Sequence, residues 1–174
     1  MRWQPESMLP VTTEIAAMTG YLRERPEQPQ FWLRLARMLA FHNRHEEARE
    51  LAEQGLSRFP TLHALRGVLG ECANALGEPE AAMAWLQSVP HDLAPGTVAH
   101  ALHELGASYE GLDRPDDAEA AYAQALRAKP DAPHPCRALH KLLRQRGDVV
   151  AVLDSCRTLE QLGVNHSRLR ADWM

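Results

Sequence analysis

The 174-residue chain has few cysteines, and their arrangement excludes the common cysteine-based architectures. It contains Cys72, Cys136 and Cys156, and no two of them form a CxxC pair. An odd, widely spaced set provides neither a disulfide framework nor the paired thiolates of a structural zinc site. Because reduced thiols are typical of the cytoplasm, we predict a cytoplasmic protein.

Long apolar runs and an excess of basic charge are also lacking. No stretch approaches the roughly 18 apolar residues of a membrane-spanning helix, and the first residues do not form a secretory signal. The 19 basic and 23 acidic residues are interspersed and leave a formal charge of −4. This composition predicts a folded chain without membrane insertion and without nucleic acid as its partner.

Motifs for enzymatic chemistry are missing as well. The sequence has no phosphate-binding loop and no dinucleotide fingerprint. The segment 106–111 (GASYEG) resembles a nucleophile elbow, but its spacing is wrong and no strand precedes it. We therefore expect no catalytic residue, no cofactor and no enzymatic activity.

The chain does contain a signature that returns at intervals of 34, 36 and 34 residues. Each copy consists of a leucine, the residue directly after it, and a third residue thirteen positions after the leucine. The copies are Leu35, Ala36 and Ala48; Leu69, Gly70 and Ala82; Leu105, Gly106 and Ala118; and Leu139, His140 and Val152. A period near 34 predicts a stack of two-helix repeats.

This pattern divides the chain into an extended segment, residues 1–11, and one helical domain, residues 12–174. Helices are expected over 12–25, 30–42, 46–58, 62–75, 79–88, 97–111, 115–128, 134–146 and 148–162. Thr12 or Thr13 is the expected first N-cap, and residues 89–96 are expected to be irregular. The repeats cover about 29–62, 63–98, 99–132 and 133–164, and residues 165–174 cap the stack.

Taken together, these residues make the chain resemble the tetratricopeptide repeat family. The family pattern is Trp-x-x-Leu-Gly-x-x-Tyr, followed by Ala-x-x-x-Phe and Pro. The third copy keeps it best, with Leu102, Leu105, Gly106, Tyr109, Ala118, Tyr122, Ala125 and Pro130. The resemblance implies an all-α protein: an α-solenoid of antiparallel helix pairs in a right-handed superhelix, with about four repeats and an N-terminal helix.

Small residues at the repeated positions have a physical role. Gly70 and Gly106 are expected to let the two helices of a pair approach closely, and Ala82 and Ala118 do the same from the second helix. A pair cannot bury its own apolar face, so neighbouring pairs stack into one continuous core. A bulky residue at Gly106 is expected to cost about 1–3 kcal/mol of stability.

In the family, the first helix of each pair lines a concave groove in which ligands bind. The resemblance implies that these residues line it: Gln30, Leu33, Arg37, Phe41, Glu71, Asn74, His100, His103, Ala107, Glu110, His134, Arg137, Lys141 and Arg144. The set is basic at both ends and acidic or histidine-rich in the middle, so an extended peptide with acidic ends would complement it. Ordinary solvated helix faces would have the same composition.

One ligand mode of the family is not expected. The carboxylate clamp, with which some members bind chaperone tails, needs Lys and Asn at set groove positions. Leu33, Arg37, Gly67 and Glu71 occupy those positions here, so the clamp is absent.

The histidines suggest a metal as an alternative. His100 and His103 lie one turn apart beside Glu104, and His134 of the next repeat could approach them. The order does not match the His-Glu-x-x-His zinc motif, and fewer than three ligands are assured. We interpret these residues as groove or surface histidines and predict no metal site.

The predicted function is a non-catalytic interaction module that binds a peptide or helix of a partner protein in its groove. A regulatory or substrate-docking part of a larger enzyme, or a small secretion or assembly chaperone, would have the same composition. Apolar residues in the terminal segments, Trp3, Met8, Leu9 and Trp173, would also allow copies of the chain to associate into a homo-oligomer.

Overall fold

The computed structural model describes residues 11–147 and residue 150, and this part of the chain folds into helices without any strand. The helices are α1 (Val11–Glu24), α2 (Pro29–Phe41), α3 (His45–Arg58), α4 (Ala64–Ala75), α5 (Pro79–Leu86), α6 (Pro95–Gly111), α7 (Pro115–Ala128) and α8 (Pro133–Gln145). The predicted all-α class is confirmed. Apart from residue 150, the predicted helix over 148–162 lies outside the described residues, and so do the C-terminal cap and residues 1–10 of the N-terminal segment.

Proline is the main helix-start signal in this chain. Five helices, α2, α5, α6, α7 and α8, begin with proline in their first turn, and no side chain caps any of these five starts. Proline suits this position because its missing N–H would have no partner there and its φ angle is already helical.

The first helix and the irregular segment differ from the sequence prediction. Helix α1 begins at Val11, so Thr12 and Thr13 lie inside its first turn and neither is the N-cap. Pro95 and Gly96, expected in the irregular segment, are the first two residues of α6. Helix α5 ends at Leu86, two residues earlier than expected, so the irregular stretch lies between Leu86 and Pro95.

The turns that follow α2, α4, α6 and α8 share one backbone feature. Asn43, Gly77, Asp113 and Gly147 all have positive φ angles, of 59°, 79°, 55° and 69°. They recur at the intervals of the leucine signature, so each of these four helices is followed by a residue in the same left-handed conformation. Glycine adopts this left-handed conformation freely, and Asn and Asp tolerate it better than other residues do.

Close helix packing within the pairs explains the recurring small residues along this chain. A Cβ atom added to Gly70 in α4 would overlap Leu86 of α5, and one added to Gly106 in α6 would overlap the ring of Tyr122 in α7. Ala82 and Ala118 are fully buried in the second helices of the same pairs. The expected role of these glycines as contact points is therefore confirmed.

Successive pairs stack so that their first helices lie side by side. Helix α2 contacts α4, α4 contacts α6, and α6 contacts α8. Second helices α3, α5 and α7 each pack against the first helix of the following pair. No helix in the described part of the chain is long and apolar enough to cross a lipid bilayer.

Candidate functional site

The first helices α2, α4, α6 and α8 together form one surface, which we call the groove face. All the predicted groove residues belong to these four helices. A cleft of about 360 Å³ opens on this face, and we call it the central cleft. It is lined by Phe41, Glu71, Gly96, Ala99, His100, His103, Glu104, Lys129, Ala132, Pro133, His134 and Pro135.

Five of the predicted residues come together in the central cleft: Phe41, Glu71, His100, His103 and His134. They belong to four different helices, so the cleft exists only in the stacked repeats. Phe41 is the most exposed large apolar side chain among the described residues, with 80% of its surface accessible. It contacts the ring of His42 edge-on, at a centroid distance of 5.1 Å.

His100 forms the wall between α4 and α6. Its Nε2 atom lies 3.4 Å from Oε2 of Glu71, at ion-pair distance but without hydrogen-bond geometry. Its ring covers Gly67, where an added Cβ would lie 3.1 Å from Cδ2 of His100. Gly67 thus leaves room for the imidazole, and the carboxylate of Glu71 stays about one third exposed.

Glu104 lies at the floor of the cleft, where its side chain is only 12% exposed. Its Oε1 atom is 3.0 Å from Nδ1 of His103, and its Oε2 accepts a hydrogen bond from Nδ2 of Asn74 at 3.3 Å. Burial alone would raise the pKa of Glu104. The hydrogen bond from His103 and the charges of His100 and His103 outweigh burial and hold the pKa of Glu104 below its usual value.

Asn74, predicted as a groove residue, is bound by the neighbouring repeat. Its Nδ2 donates to the backbone carbonyl of Glu104 at 2.8 Å, and its Oδ1 accepts a hydrogen bond from Ser108 Oγ at 2.8 Å. Ser108 is fully buried, and its single hydroxyl proton is shared between Asn74 Oδ1 and the Glu104 carbonyl, 3.0 Å away. The amide of Asn74 therefore joins α4 to α6.

His134 stands at the start of α8 on the far side of the cleft. Its ring lies 5.9 Å from that of His103, and its Nδ1 is 3.1 Å from Nη2 of Arg137. Burial, together with the positive charge of Arg137, lowers the pKa of His134. The imidazole is therefore neutral near pH 7.

Glu110, another predicted groove residue, connects three helices. It accepts hydrogen bonds from Tyr122 Oη at 2.6 Å and from Lys141 Nζ at 3.3 Å. Burial and the carboxylate of Glu110 raise the pKa of Tyr122. The basic end of the groove face is thus partly neutralised by the protein itself.

The other predicted residues lie outside the central cleft. Leu33 is partly buried and packs against the core, whereas Arg37, Arg137 and Arg144 are exposed on α2 and α8. Gln30 is exposed and Ala107 is half-buried. Glu104 and Lys129 line the cleft but were not among the predicted groove residues. The position of Glu104 next to His103, between two predicted groove positions, was a sequence signal for Glu104. No such signal pointed to Lys129.

The described residues contain no group of three His, Cys, Asp or Glu side chains placed to hold a metal ion. The three cleft histidines instead pair with different partners: Glu71, Glu104 and Arg137.

Three family models, all for the tetratricopeptide repeat, match the chain over residues 15–63, 42–106 and 99–132. The chain is a tetratricopeptide repeat protein. The matches overlap and together run without a gap from the first helix to the end of the third helix pair. The resemblance seen in the sequence is confirmed, and so is the α-solenoid fold.

Solved structures of similar fold include TTC0263, a tetratricopeptide repeat protein of Thermus thermophilus. It is 25% identical with a TM-score of 0.75, and 92% of this chain and 88% of that chain are covered. PilF of Pseudomonas aeruginosa is 16% identical with a TM-score of 0.71, covering 87% and 68%. MamA of Desulfovibrio magneticus RS-1 is 15% identical with a TM-score of 0.66, covering 88% and 85%.

These structural similarities establish the fold. Tetratricopeptide repeats are typically non-catalytic scaffolds that interact with other proteins. The repeat architecture therefore supports a general role as a protein-interaction scaffold.

Proposed function

We propose that the protein is a non-catalytic interaction module that binds a peptide segment or helix of a partner protein on its groove face, with the central cleft at the centre of the contact. The observation that carries this proposal is the exposure of Phe41 at the rim of the cleft. Exposed aromatic side chains beside a pocket are typical anchors of protein interfaces.

The surroundings of Phe41 support the same proposal. Pro133, Pro135, Ala99 and Ala132 provide apolar walls, whereas the histidines and carboxylates lie between them. An apolar rim with a few polar groups inside is the common construction of a ligand site. The volume of about 360 Å³ is at the lower end of such sites, and it suits side chains of an extended segment better than a large cofactor.

Selection from a displayed library of random peptides tests this proposal without a known partner. We expect the wild-type protein to enrich peptides that bind measurably in solution by fluorescence anisotropy. Phe41→Ser is expected to weaken their affinity about tenfold or more, because truncation of an aromatic anchor costs about 2 kcal/mol. Since Phe41 is exposed, the substitution leaves folding intact.

Tyr21→Ser is the matched control. Tyr21 is also an exposed aromatic residue, but it lies on α1, stacks on Phe31 and does not line the cleft. Its replacement is expected to leave peptide affinity unchanged. Enrichment of no peptide, or equal affinity for the wild type and the Phe41→Ser variant, would refute the proposal.

A further inference from the structure

We propose that the central cleft is a specificity pocket for one cationic side chain, arginine or lysine, of the bound peptide, and that Glu71 is the residue that recognises it. This inference rests on the proposed function, since it specifies what the peptide places in the cleft. It follows from the charges, the exposure and the shape of the lining residues.

The charge balance of the cleft favours a cation. Two carboxylates, Glu71 and Glu104, line it against a single ammonium group, that of Lys129. The lowered pKa of His134 keeps that imidazole neutral near pH 7, so it does not offset the two carboxylates. The lowered pKa of Glu104 keeps that carboxylate ionised well below neutrality. An acidic peptide side chain would meet two like charges, which costs affinity.

Exposure distinguishes the two carboxylates. The side chain of Glu104 is 12% exposed and is already engaged by His103 and Asn74. The side chain of Glu71 is 31% exposed, and its ion-pair neighbour, His100, lacks hydrogen-bond geometry. Glu71 is therefore the carboxylate that remains able to accept a hydrogen bond from a ligand. Glu104 contributes a second negative charge at the floor of the cleft.

The shape of the cleft suits a long side chain with a charged end. Pro133, Pro135 and Ala99 can cover an aliphatic stem, and Phe41 at the rim can contact a guanidinium or ammonium group with its ring face. Arginine suits both the carboxylate of Glu71 and the ring of Phe41, because its planar guanidinium group pairs with a carboxylate and stacks on an aromatic ring.

The peptides enriched from the random library test this inference directly. We expect a basic residue to be enriched at one position beside an apolar or aromatic residue. Replacing that basic residue by Gln in a synthetic peptide is expected to weaken binding at least about tenfold, the loss typical of a hydrogen bond between charged groups.

The protein variant Glu71→Gln is expected to abolish the difference between the basic and the Gln peptide. Glu80→Gln is the charge-matched control, since Glu80 is on α5 and outside the cleft, and it should retain the difference.

The outcomes separate this inference from the proposed function. Peptides that need Phe41 but show no basic preference, or a preference for acidic residues that face Lys129, would overturn the cationic pocket and leave the groove module intact. A basic preference that persists in Glu71→Gln would overturn the role of Glu71. Peptides insensitive to Phe41→Ser would refute the proposed function itself.

Discussion

Asn74 in α4 and Ser108 in α6 are joined across the boundary between two repeats by a hydrogen bond of 2.8 Å, with the Ser108 hydroxyl as donor. The same Asn74 amide donates to the Glu104 carbonyl. This polar contact joins α4, which carries Glu71, to α6, which carries His100 and His103.

Removal of this contact is expected to destabilise the protein. Asn74→Ala leaves the buried Ser108 hydroxyl with one acceptor fewer, and we expect a loss of about 1–3 kcal/mol in the free energy of unfolding, measured with urea. The double variant Asn74→Ala/Ser108→Ala should cost less than the two single losses added. Gln54→Ala, an exposed amide on α3, is the control and should be nearly neutral. Additive losses would show that the bond contributes nothing.

Close packing at Gly106 gives a second prediction. Gly106→Leu would force a side chain into the ring of Tyr122, and we expect it to cost about 1–3 kcal/mol or more and to lower the melting temperature. Gly96→Ala, in the same helix, has open space around the added methyl group and should not destabilise. An unchanged melting temperature for Gly106→Leu would contradict the register of α6 against α7.

Backbone conformation gives a third prediction, in which one chemical change has opposite effects at two sites. Gly77→Ala is expected to destabilise by about 1 kcal/mol, because φ is positive there and nothing else crowds the site. Gly20→Ala, inside α1 and equally uncrowded, should stabilise by about 0.5–1 kcal/mol. Thermal unfolding of both variants measures the two signs, and equal signs would contradict the turn geometry.

The lowered pKa of Glu104 predicts a dependence of stability on pH. The group is more acidic when folded than its ordinary value of 4.5, so its contribution is fully present above that value and is lost as pH falls through the lower folded pKa. We expect the stability difference between wild type and Glu104→Gln to shrink as the pH falls below about 4.5. A difference that does not change with pH would contradict the ionised state of Glu104.

Burial of Cys72 predicts chemical inertness. The thiol has no exposed surface, and burial raises its pKa to about 12. Iodoacetamide at about pH 8 should therefore leave Cys72 unmodified in the native protein and alkylate it in urea, because the thiolate is the reactive form. Peptide mapping by mass spectrometry identifies the site. Native alkylation of Cys72 would show that the α4 core opens readily.

The repeats could be predicted well from the sequence because their signals are local. The spacing of Leu35, Leu69 and Leu105 and the small residues after them report contacts within one helix pair. The start of α6 was missed because Pro95 and Gly96 read as helix breakers, although proline at a first helical position favours a helix.

The candidate site was predicted only in part because it depends on distances between repeats. Asn74 and Glu110 occupy groove positions, yet the structure shows their polar atoms held by Ser108 and Tyr122. Lys129 enters the cleft from a loop, where no helical register applies. Sequence spacing alone does not reveal which side chains of α4 and α6 meet.

Binding on the groove face is tested most directly by a map of amide chemical shifts on addition of a library-selected peptide to the labelled protein. We predict shifts concentrated on the end of α2, on α4, on α6 and on the start of α8, around Phe41, Glu71, His100, His103 and His134, with little change on the second helices α3, α5 and α7. Shifts concentrated on those second helices would contradict binding on the groove face.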